Sequence, residues 1–179
     1  IFKYDKLIIL IWKISTYNFI ILHFYMKKLL TLVILIPCIS IAQWNYGNTS
    51  KGRGVYANGK IEFREFNDFE FKIVKYKNLD IEFSISSKYF KESSGYYYVV
   101  IRVLDKNFRV LNSETVDGNY KILELKDIAK NDKYKVEDFL KILRKDISCI
   151  VTIKNNNKII QGFSSLQGSP QAINYVLMK

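Results

Sequence analysis

From Ile61 onward, apolar and polar residues alternate in short runs. Ile61-Glu62-Phe63-Arg64, Phe69-Glu70-Phe71-Lys72-Ile73 and Leu79-Asp80-Ile81-Glu82-Phe83-Ser84-Ile85-Ser86 all keep a period of two. Successive side chains of a strand point to opposite faces, so this pattern demands one buried and one wet face, the mark of an antiparallel sheet. Polar turns at Asn67-Asp68 and Lys77-Asn78 separate the runs, which predicts a three-stranded meander. Tyr96-Tyr97-Tyr98-Val99-Val100-Ile101-Arg102-Val103-Leu104 is the densest β-branched and aromatic stretch. It reads as a central strand covered on both faces. Further strands are expected at Phe108–Leu111, Tyr120–Leu125, Ile147–Lys154 and Lys158–Ser164, the last two forming a hairpin across Asn155-Asn156-Asn157.

The period changes once before the final hairpin. Val136, Phe139, Leu140 and Leu143 recur at helical spacing, with Glu137 and Asp138 near the start and Lys141, Arg144 and Lys145 near the end. That charge order suits the helix dipole, and an amphipathic helix of roughly three turns is expected. Ser169-Pro170 reads as an N-cap followed by proline in the first helical position, opening a C-terminal helix with Ala172, Ile173, Val176 and Leu177 as its apolar stripe. The sum is a mainly β chain, about eight strands with one inserted and one C-terminal helix. The expected fold is an antiparallel β-sandwich or half-open barrel.

The N-terminal quarter obeys different rules. Residues 26–42 run Met26-Lys27-Lys28, an aliphatic segment from Leu29 to Ile36, then Pro37-Cys38-Ile39-Ser40-Ile41-Ala42. A basic start, a short apolar run and small residues at Ser40 and Ala42 form the pattern of a signal peptide cut between Ala42 and Gln43. An uncleaved anchor is the alternative. Leu35-Ile36-Pro37-Cys38 has some lipoprotein character, but Pro37 stands where a small residue is needed, so Cys38 reads as part of the apolar run. Residues 1–25 begin with Ile1 and read as an upstream extension outside the native fold, or else as a membrane segment forming a hairpin with the next. Residues 43–59 hold Gly47, Gly52, Gly54 and Gly59 and read as a flexible arm, with one short strand near Val55-Tyr56, before a single β-rich domain at 60–179.

The last forty residues run from the helix at Glu137–Arg144 through the strand Ile147–Ile153 to Phe163-Ser164 and Leu166-Gln167-Gly168-Ser169-Pro170-Gln171-Ala172-Ile173. This order resembles the C-terminal part of invasion-associated protein B-like periplasmic proteins. The resemblance covers under a third of the chain after Gln43, and the paired cysteines of that family are missing. It implies a secreted β-sandwich without catalysis and transfers no functional residue.

Several chemistries are removed by composition. The only histidine, His23, lies upstream of the signal pattern, and Cys149 is the only cysteine after Gln43. Residues 43–179 therefore hold no Ser-His-Asp triad, Cys-His pair, His-ligated metal or internal disulfide. Cys149 falls in register with Ile147, Val151 and Ile153, all expected to point inward, so it reads as a small buried hydrophobe. No cofactor and no metal is expected. Gly52-Arg53-Gly54 lacks the strand-to-helix context of a phosphate loop. Asp80 and Glu82 share one strand face, which reads as a solvated sheet surface, although a carboxylate pair is the remaining route to hydrolysis.

The net charge of 43–179 is +7. It points toward an anionic partner such as an acidic polysaccharide, or an extracytoplasmic protein, and export argues against genomic DNA. Membrane contact is expected only through an uncleaved leader. The candidate surface comprises Tyr96 and Tyr98 for stacking and Lys72, Lys75 and Lys77 for charge. The expected function is non-catalytic binding outside the cytoplasm. The alternatives are a small carboxylate-dependent hydrolase of cell-wall or polysaccharide substrates, and a membrane-anchored accessory subunit if the leader stays.

Overall fold

The computed structural model describes residues 43–179 other than 51, 78, 93, 94 and 157. The readings for 1–25 and 26–42, Ala42 included, lie outside the described residues. Among the described residues, eleven strands and three helices follow in chain order: β1 (Trp44–Asn48), β2 (Gly54–Lys60), β3 (Glu62–Phe63), β4 (Glu70–Tyr76), β5 (Glu82–Ser86), α1 (Tyr89–Glu92), β6 (Tyr97–Val103), β7 (Lys106–Val116), β8 (Asn119–Asp127), β9 (Lys133–Lys135), α2 (Val136–Leu143), β10 (Ser148–Asn155), β11 (Lys158–Ser165) and α3 (Ser169–Met178).

All strands join one antiparallel sheet in the order β1-β2-β4-β5-β8-β7-β6-β10-β11-β3, with β9 added beside β8. The sheet curls into a half-barrel, as the alternation anticipated. Its inner face carries the apolar set: Phe71, Ile73, Phe83, Ile85, Val99, Ile101, Phe108, Ile122, Val151 and Ile153 are essentially inaccessible. The helices close the same core. Phe139, Leu140 and Leu143 of α2 and Ala172, Ile173 and Val176 of α3 are buried, and Arg144 donates to Asn174 Oδ1 to tie the two helices together.

The curl has a covalent cause. β2 runs on through Ile61 into β3, with β2 paired to β4 and β3 paired to β11. One continuous stretch thus stitches both ends of the sheet. Trp44 Nε1 donates to the Ser165 carbonyl at 3.0 Å, linking the start of β1 to the end of β11.

Several expectations change here. Residues 43–59 are not a flexible arm: they supply β1 and most of β2, and Trp44, Val55 and Ala57 enter the core. Two of their glycines mark close approach rather than looseness, since a Cβ on Gly54 would lie 2.4 Å from the Lys75 carbonyl oxygen and one on Gly59 would lie 2.3 Å from the Trp44 ring. The meander is β2-β4-β5, while Glu62–Phe63 leave it for β11. Alternation sets which face is buried but not which strand lies alongside.

β6 is central, yet only one of its faces is covered: Tyr97, Val99, Ile101 and Val103 are buried, and Arg102 opposite them is exposed. α2 spans eight residues, nearer two turns than three. The cap of α3 is Gly168 at φ +86°, with Ser169 already helical; glycine alone takes that left-handed conformation without strain.

Candidate functional site

The sheet has two unlike outer regions. On β2-β4-β5-β8 the outward residues are mixed, with Val74 and Leu123 among polar side chains, and the charges of Glu70, Lys72, Glu82 and Lys121 are paired. Lys72 lies 3.2 Å from Glu70, Lys121 lies 2.9 Å from Glu82, and Lys72 also donates to Ser86 Oγ. Exposed pairs of this kind contribute little stability, about 0–1 kcal/mol each, and they leave no net charge to attract a partner.

The outer face of β9-β8-β7-β6-β10-β11 is different. Lys133 opposes Lys126, Lys126 opposes Arg109, and Arg109 opposes Val100. Three cations therefore stand side by side on three adjacent strands. Arg109 lies over the Tyr98 ring, 4.8 Å from its centroid, and Tyr98 opposes Lys154 on β10. Next to this row comes Arg102-Ile150-Phe163-Glu62 across β6, β10, β11 and β3. Lys133 meets Glu124 at 3.5 Å and Arg102 meets Asp105 at 3.2 Å. Among the described residues, Lys126, Arg109 and Lys154 reach no carboxylate within ion-pair distance.

The structure separates the candidate residues named from the sequence. Tyr98 is half-buried on this cationic face. Tyr96 precedes β6 and is 72% exposed. Lys72, Lys75 and Lys77 belong to β4 and its end, with β5, β8 and β7 between them and β6. Lys72 takes part in the neutralised region. Lys75 and Lys77 line a separate cleft of about 210 Å³ with Asn48, Gly52, Gly54, Val55, Tyr76 and Lys179, which holds no Asp or Glu. The two tyrosines and three lysines are thus not one site. Arg109, Lys126 and Lys154 were missed because their proximity follows from pairings among β6 to β10, and no local spacing encodes it. Gln43 precedes β1 and borders a polar recess with Asn45, Asn58, Lys60 and Asp68.

The carboxylates Asp80 and Glu82 edge a broader groove of about 490 Å³ with Lys121, Leu123, Lys135 and Glu137. Glu82 is solvent-exposed and held by Lys121. Cys149 is buried, and burial, with the Asp146 charge second, pushes its thiol up to about 12; at neutral pH it holds its proton and is a poor nucleophile. Among the described residues no group of three or more His, Cys, Asp or Glu side chains is placed to hold a metal, and no helix is long and apolar enough to cross a membrane. Comparison with protein-family models, curated proteins and solved structures finds no match to this chain.

Proposed function

We propose that this chain is an exported, non-catalytic binding protein whose outer face on β6 to β11 engages an anionic partner outside the cytoplasm. One observation carries the reading: the cross-strand row Lys133-Lys126-Arg109. Like charges directly opposite on neighbouring strands are destabilising, so this row works against the stability of the sheet. It favours a polyanion, whose charges the row can neutralise together.

Export is supported by the leader pattern and by the start of the fold. Trp44, two residues after the proposed cleavage at Ala42, is already a core residue paired with Gly59. Cleavage there leaves every described strand intact.

The test is binding of polygalacturonate against neutral dextran. The expected result is salt-sensitive binding of the uronate polymer alone, reduced about tenfold by Lys126→Glu with Lys133→Glu. Equal binding of the charge-reversed protein, or binding of neither polymer, would refute the reading. The groove at Asp80, Glu82 and Glu137 supports a second reading, a carboxylate hydrolase. Under that reading the protein releases reducing ends from the polymer, and Glu82→Gln stops the release.

A further inference from the structure

We propose that the anionic partner is a phospholipid bilayer, which the protein touches with the β6–β7 end of its cationic face. This rests on the reading that the face binds anions and adds an apolar element to it. The β6–β7 turn consists of Leu104 and Asp105, with φ of +50° and +56°. Two positive φ values are those of a type I′ hairpin turn, which favours Asn, Asp and Gly. Leucine is sterically disfavoured there. Packing does not compensate, because Leu104 is 41% exposed. The fold would be served better by asparagine, so the outward leucine calls for another reason. Strain of this kind is concentrated at functional sites.

Leu104 has company. Its amide donates to Asp146 Oδ2 at 2.7 Å, and Asp146 Oδ1 accepts from the amide of Ile147. The same carboxylate therefore holds both apolar tips, and Ile147 is 81% exposed. One row further along the outer face, Ile150 opposes Phe163, which is 48% exposed, and Ile159 beyond it is 63% exposed. Arg102, Lys106 and Lys145 flank the tip, and Lys154, Arg109, Lys126 and Lys133 continue the positive surface behind it. Asp105 is taken up by Arg102. Apolar side chains projecting from a cationic surface match a bilayer interface with anionic headgroups, where shallow insertion and charge attraction add. A second copy of this chain would bring like charges together, which disfavours self-stacking.

The test is flotation of the exported protein, its N-terminus read by intact mass, with phosphatidylglycerol-containing or pure phosphatidylcholine vesicles. Leu104→Asn is the informative variant because asparagine suits the turn. Its melting temperature should hold or rise while affinity for the anionic vesicles falls roughly tenfold; Phe163→Ser should also weaken binding. Lys75→Glu, in the separate cleft, should change nothing. Equal binding of Leu104→Asn and wild type, equal binding to neutral vesicles, or no vesicle binding would overturn the proposal. If polygalacturonate binding persists in those cases, the anion-binding reading stands and only the bilayer falls. Loss of both sinks both.

Discussion

At the residue scale, Cys149 shows how burial fixes chemistry. It sits on the inner face of β10 opposite Ser164, and its thiol is pushed up to about 12, first by desolvation and then by the Asp146 charge. A raised thiol pKa means the folded state keeps a proton that the unfolded chain loses from about pH 8.5. The associated stability is fully present below that pH and is lost as pH rises toward 12. Chemical denaturation between pH 8.5 and 11 should show stability falling by up to about 1.4 kcal/mol per unit from this group. Cys149→Ala should flatten that slope. Buried Tyr120, also raised chiefly by desolvation, steepens the fall at the alkaline end in both proteins. A thiol reagent should label native Cys149 slowly and unfolded Cys149 fast. Fast native labelling would contradict the burial.

At the element scale, the joins of the half-barrel depend on aromatic rings laid over cross-strand glycines. Trp44 covers Gly59 and Phe63 covers Gly162. A Cβ on Gly162 would sit 2.7 Å from the Phe63 ring. Gly162→Ala should therefore destabilise the protein by about 1–3 kcal/mol, as overpacking does, and urea unfolding measures it. A neutral result would mean that β3 and β11 can separate freely. These joins were illegible in the sequence, where Gly59 read as looseness and Gly162 as an ordinary strand position. The opposite holds for α2. The residues predicted for its buried face, Val136, Phe139, Leu140 and Leu143, are the ones the core takes up. Helical periodicity is local, so a short window contains it. The pairing of β3 with β11 spans about a hundred residues of chain, and no window contains it.

At the scale of the whole molecule, β1 and β2 are structural staves of the half-barrel. A chain starting at Ile61 should fail to fold cooperatively, because it lacks Trp44, Val55 and Ala57, leaves β4 with an open edge and loses the Trp44 bond to the end of β11. A chain starting at Gln43 should unfold in one transition. Circular dichroism during thermal melting separates the two outcomes, and a cooperative transition for the shorter chain would restore the flexible-arm view of 43–59.

Fold class, the inner faces of most strands, the burial of Cys149 and the apolar stripe of α2 were readable from residue order, whereas Ile147, expected inward with Cys149, precedes β10 and is 81% exposed. Each readable feature follows from a period of two or of 3.6 between near neighbours, and backbone geometry imposes those periods on any chain. Strand order, the stitching of the sheet by β2 and β3, the split of Tyr96 and Tyr98 from Lys72, Lys75 and Lys77, and the row Lys133-Lys126-Arg109 were settled by folding. They depend on which distant strands pair, and the free energy that selects those pairs comes from packing the shared core, a property of the assembled chain rather than of any segment of it.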